Sequence, residues 1–156
     1  MGKNKSKLIF GAAVVVFLAI LFAWPKLNDP NRFTASLWKD SGVGCLPAHQ
    51  NANQHIHSEL KISVDGRDET IPANVGVVRG CMAELHTHDA DGVIHIESVE
   101  SGKIFTLEQF FTVFGQPLER GGFSLEMILD GASNQELGNL VLKDKQKIDL
   151  VYKKVK

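Results

Sequence analysis

Three of the chain's six histidines lie in the stretch 86–97, which reads HTHDADGVIHIE. Imidazole is the commonest biological metal ligand and suits zinc, copper, iron and nickel. Asp91-Gly92 is a two-residue turn signal, because the central positions of a type I′ turn need the positive φ that Gly and Asp tolerate. Apolar and β-branched residues flank it: Leu85, Thr87, Val93, Ile94 and Ile96. A turn there predicts a hairpin in which Ala90 faces Val93, His88 faces His95 and His86 faces Glu97. Side chains alternate faces along a strand, so His86, His88, His95 and Glu97 then project from one face, with opposed Cβ atoms about 5 Å apart. Three imidazoles and a carboxylate can converge on one ion from that spacing. Asp89 and Asp91 read as turn formers rather than ligands.

A second His-x-His occurs at His55 and His57, with Glu59 following and His49 before it. Ile56, Leu60 and Ile62 take the opposite parity, as Leu85, Thr87, Ile94 and Ile96 do in the first cluster. This segregation of imidazoles from core residues argues that the histidines act together, although His-x-His alone also describes a solvated strand face. The rival reading is a hydrogen-bonded histidine and carboxylate network that titrates near neutral pH. Cys45 and Cys81 form no Cys-x-x-Cys pattern. In an oxidising compartment they are expected to form a disulfide. As thiolates they would instead build a softer site for copper(I) or zinc.

The elements that must position these groups follow from the rest of the chain. Residues 1–7 are short and basic, and residues 8–24 carry no charge. The length of that run is at the short end of what spans a bilayer. It exceeds the usual signal-peptide core and ends in Trp24-Pro25 without a small-x-small cleavage site. The expectation is an uncleaved signal-anchor, with a transmembrane helix at 8–24, a cytoplasmic tail at 1–7 and the bulk of the chain outside the cytoplasm. Pro25, Asn28, Asp29 and Pro30 break any continued helix, which makes 25–44 a stem and 45–156 the domain.

Within that domain, 55–64 alternates as a strand, and Asp65-Gly66 is a second hairpin turn that would pair 62 with 69. Thr106 with Gln109 forms a capping box, Phe105 and Phe110 suit a hydrophobic staple, and Gly115 suits the C-terminal cap, so one helix is predicted between them. Its phenylalanines read as core. Residues 121–130 and 140–151 read as strands with a loop at 131–138. The expected class is therefore α+β: a transmembrane helix, then a small, mostly antiparallel β-rich domain with one short helix and a β-grasp-like outline. The net charge of −1 does not suggest nucleic acid as a partner.

The strings HIHSELKISVDG, IPANVG, CMAELHTHDADGVIHIES and FTLEQFF resemble a family of small bacterial and archaeal proteins. That family carries HIH-x-x-L, IP-x-x-IG, C-x-x-x-LHTHD-x-x-G-x-IHIES and FTL-x-x-FF in this order. The resemblance covers about 45–115. It implies that this stretch is one unit and supplies no activity.

Three functions are compatible with these residues. The leading one is a membrane-anchored extracytoplasmic metal-binding protein. It would hold copper or zinc through His86, His88 and His95, with His55, His57 and Glu97 as further ligands. It would serve metal handling, or metal-stabilised assembly with an envelope partner or a second copy. The second is a zinc enzyme, in which three histidines and a bound water generate a nucleophile. The third is a metal-free interaction domain. No nucleophile elbow, phosphate loop or dinucleotide fingerprint is present.

Overall fold

The computed structural model describes residues 38, 40–46 and 52–155, all within a compact unit spanning residues 34–156. The basic tail, the apolar segment at 8–24, most of the stem and His49 lie outside the described residues. Among the described residues, ten strands and one α-helix run in the order β1 (Cys45–Leu46), β2 (Gln54–Val64), β3 (Arg67–Glu69), β4 (Val77–Val78), β5 (Cys81–Ala83), β6 (Leu85–His86), β7 (Val93–Ser98), α1 (Leu107–Phe114), β8 (Phe123–Leu129), β9 (Ala132–Asn134) and β10 (Lys147–Lys154). A 3-10 turn occupies Leu137–Asn139.

The larger sheet runs β6-β7-β2-β10-β8-β9, with β3 paired to β2, and the smaller one runs β1-β5-β4. At the centre of the larger sheet β2 and β10 are parallel, and every other pairing in it is antiparallel. The expected class is corrected by this architecture. Strand makes up 44% of the described residues against 11% helix, so the described part is mostly β rather than α+β. Among the described residues no helix is long and apolar enough to cross a membrane.

Local chemistry explains the elements. In β2, Ser58, Leu60 and Ile62 are buried while His55, Glu59 and Lys61 are exposed, the period-two pattern of a strand with one covered face. Asp65 and Gly66 both have positive φ, 49° and 77°, and the turn pairs Ile62 with Glu69 as the dipeptide predicts. Helix α1 begins with a complete capping box, in which Gln109 Oε1 accepts from the Thr106 amide at 2.8 Å. It ends at Gly115, in the left-handed conformation, where the Gly115 and Gln116 amides donate to Thr112 and Phe111 in a Schellman closure. Leu107, Phe110, Phe111 and Val113 are buried in one core with Ile62, Leu85, Ile94, Ile96, Met127, Ile148 and Leu150. Trp38 and Val43 are buried in that core too, so it takes in residues ahead of Cys45.

Cys45 and Cys81 form a disulfide with a Cα–Cα distance of 5.1 Å. It ties β1 to β5 beside the pairings Cys45–Ala83 and Leu46–Met82. Glu84 follows, between β5 in the small sheet and β6 in the large one. It is buried, and its carboxylate accepts from Lys103 Nζ at 2.6 Å, from the Gly44 amide at 2.6 Å and from Ser98 Oγ at 2.7 Å. Three donors on one buried carboxylate meet the requirement that a charge taken out of water be paired and hydrogen-bonded. The joint they make fixes where β6 enters the sheet.

Candidate metal centre

Strand β7 is the axis of the site. Its burial alternates strictly: Ile94, Ile96 and Ser98 are buried, while Val93, His95 and Glu97 are half-buried on the other face. On one side β6 pairs Leu85 with Ile96 and His86 with His95. On the other, β2 pairs His57 with His95 and His55 with Glu97. Five histidines and Glu97 therefore share one region across three neighbouring elements. The two His-x-His clusters, separate in sequence, form one belt.

The hairpin expected at Asp91-Gly92 is corrected. His86 faces His95, not Glu97, a shift of two residues that preserves the shared face. His88 lies beyond the end of β6 and has no strand partner among the described pairings. The chain turns at Ala90–Asp91 rather than at Asp91-Gly92, and the 87–92 segment is held by partners outside the hairpin. Thr87 Oγ1 donates to Pro72 O at 2.9 Å and accepts from the Val75 amide at 3.0 Å. Gly92 O accepts from the Leu60 amide at 2.9 Å. Gly92 has φ 82°, and a Cβ there would lie 2.3 Å from Leu60 O. The glycine is thus the seat for close approach of β2. Asp91 remains a turn former, its Oδ1 accepting from the Val93 amide at 2.9 Å.

His86 is fully buried. Its Nδ1 lies 2.9 Å from Ala83 O. A carbonyl only accepts, so Nδ1 carries the proton and Nε2 presents its lone pair to His88. That Nε2 lies 3.2 Å from His88 Nε2. Two ligands of a tetrahedral ion, each about 2.0–2.1 Å from it, would be separated by about 3.3–3.4 Å. The pair thus sits close to the edge length of such a site. Glu97 Oε1 is 3.9 Å from His86 Nε2 and 3.3 Å from His55 Nε2. The ring of His95 lies edge-on to His57 and His88, with centroids at 4.5 and 4.4 Å, and stacks on His86 at 5.3 Å.

Two donor sets result. His86, His88, His95 and Glu97 place one ligand atom each within 4.8 Å of one another, and so do His55, His57 and His95. His95 belongs to both. Its Nδ1 is buried without a hydrogen-bond partner, a cost that a bound cation at the ring would offset. Burial, and then the facing rings of His88, His86, His57 and His55, push the His95 pKa down to about 4. Desolvation also lowers that of His86, against the opposing pull of the Ala83 hydrogen bond and Glu97. Imidazoles kept neutral by their surroundings are in the protonation state that binds metal. The cysteines are in the disulfide, which removes thiolates from the donor chemistry. The six side chains named from sequence are thus together, whereas Glu59 pairs outward with Lys147 at 3.6 Å.

Comparison of the chain with protein-family models, with curated proteins and with solved structures returned no match.

Proposed function

We propose that this protein is a metal-binding module that holds a divalent copper or zinc ion through His86, His88 and His95, with Glu97 as the fourth donor and His55 and His57 beside it. The observation that carries the reading is the convergence of these ligand atoms within 4.8 Å of one another, from the buried His86 through the half-buried His95 and Glu97 to the exposed His88. The donors are imidazole and carboxylate, which suits borderline divalent ions better than copper(I). A set of four protein donors suits holding or passing on an ion, whereas catalytic zinc keeps a coordination position open. The module works outside the cytoplasm at the cell membrane. The apolar composition of residues 8–24, the lysines before it and the disulfide support that placement.

Elemental analysis of the full chain, made without a polyhistidine tag and isolated from an oxidising compartment, tests the reading. The expected result is close to one copper or zinc per chain, lost in a His88→Ala, His95→Ala double variant. Equal copper and zinc binding by parent and double variant would reduce the cluster to a hydrogen-bond network.

A further inference from the structure

Resting on that metal-binding reading, we infer that Thr87 is the positioning residue of the site: clamped by the 72–75 segment, it sets where the exposed His88 meets the ion. The other donors are held by the fold around them. His95 and Glu97 stand on β7, which has a neighbour on each side, and His86 is fully buried with its ring bonded to Ala83 O. His88 has neither support. It is exposed, and it lies past the end of β6 with no strand partner among the described pairings. Yet its Nε2 lies 3.2 Å from His86 Nε2, and its ring is edge-on to His95 at 4.4 Å. That placement has to come from the adjoining chain. Asp89 on one side is exposed, and Thr87 on the other is the fixed neighbour.

Thr87 is fully buried, and one short segment bonds it at four points. Its amide donates to Val75 O at 3.1 Å, and its carbonyl accepts from the Asn74 amide at 3.0 Å. Its hydroxyl donates to Pro72 O at 2.9 Å and accepts from the Val75 amide at 3.0 Å. The first two bonds are open to any residue with a backbone N–H, whereas the second two need a hydroxyl. A buried hydroxyl is costly unless paired, and this one is paired both as donor and as acceptor. The clamping segment is itself seated. Asn74 has φ 62°, a left-handed conformation that asparagine tolerates. Gly76 follows with φ 75°, and a Cβ there would lie 2.6 Å from Leu85 O and 2.8 Å from Val113 Cγ1. The IPANVG string, residues 71–76, thus supplies no ligand and yet holds the limb that carries His86 and His88.

Ligand groups must be held within about 0.5 Å of their productive geometry, and losing the hydrogen bonds that orient one typically costs about tenfold to a hundredfold in affinity. Zinc competition titration of the full chain in detergent reads that effect. Thr87→Val keeps the side-chain shape and removes the hydroxyl, so it is expected to weaken zinc binding by about tenfold to a hundredfold. Thr87→Ser keeps the hydroxyl and should stay within about threefold of the parent. A general loss of stability acts in any background, whereas a residue acting through His88 has nothing to position once that ring is gone. In a His88→Ala chain, adding Thr87→Val should therefore change zinc affinity by less than about threefold. A further measurement needs no substitution. By reciprocity, hydrogen exchange at the Val75 amide, which donates to the Thr87 hydroxyl, should slow by about tenfold on zinc loading. Parent-like affinity in Thr87→Val, an equal loss in the His88→Ala background, a Thr87→Ser chain as weak as Thr87→Val, or unchanged Val75 exchange would each overturn the inference. A parent chain that binds no zinc or copper would instead overturn the metal-binding reading itself.

Discussion

His86 enters the cluster with its tautomer already chosen, because Ala83 O holds the Nδ1 proton and leaves Nε2 aimed at His88 Nε2 3.2 Å away. Preorientation of a ligand by the hydrogen bond on its other nitrogen typically adds tenfold to a hundredfold in metal affinity, so losing a ligand outright costs more than about a hundredfold. His88→Ala should therefore weaken zinc binding by at least that factor, whereas His55→Ala should barely change the equilibrium; competition titration of the two variants checks this. The lowered pKa values set two pH responses. In the unfolded chain an imidazole takes up its proton near pH 6.5. In the folded chain His95 resists protonation down to about 4, and that of His86 is also depressed. The unfolded state binds more protons in between, so stability is complete above about pH 6.5 and declines as pH falls toward about 4. Urea midpoints of the metal-free protein should accordingly be lower at pH 5 than at pH 7.5, and a higher midpoint at pH 5 would reverse the sign. Metal binding, for the same reason, should persist below the pH at which an ordinary imidazole protonates.

At the scale of the element, the faces were legible and the partners were not. Alternation of polar and apolar residues in 55–64 and 93–98 puts His55, His57, His95 and Glu97 opposite the core residues, and β2 and β7 bury those core residues. That information is local. The pairing of β2 with β7 joins segments some forty residues apart in sequence, and nothing in either segment's own pattern names the other. The parallel β2–β10 pair was hidden for the same reason. The Asp91-Gly92 signal misled because a glycine serves close approach as well as tight turning, and contact with Leu60 won. Asp65-Gly66, with open space around the glycine, formed the turn it advertises. A paired test follows. Gly66→Ala should cost about 1–2 kcal/mol, the strain of a left-handed alanine. Gly92→Ala adds a backbone clash and should cost clearly more, above about 3 kcal/mol. Equal losses in chemical denaturation would show that Gly92 is not the seat for β2.

For the molecule as a whole, two anchors hold the belt in place from outside it. The disulfide closes a loop with a sequence separation of 36, and the buried Glu84 joint ties the small sheet to the entrance of β6. Cys45→Ser, Cys81→Ser substitution should lower stability by about 3–4 kcal/mol, read from denaturant midpoints. It should leave zinc stoichiometry unchanged, because the donors are imidazole and carboxylate. On the far side of the sheet, Arg120 donates to both carboxylate oxygens of Glu69 at 2.6 and 2.7 Å and lies over the Tyr152 ring, closing the core away from the histidines. The sequence pattern carried the composition of the site and its chemistry. Its assembly from β6, β7 and β2 belongs to the tertiary fold. X-ray absorption at the zinc edge of the zinc-loaded full chain tests the central claim most directly. The account predicts a nitrogen and oxygen shell at about 2.0–2.1 Å, with multiple scattering from at least three imidazoles and no sulfur. A sulfur shell near 2.3 Å, or a shell of water oxygens without imidazole scattering, would contradict it.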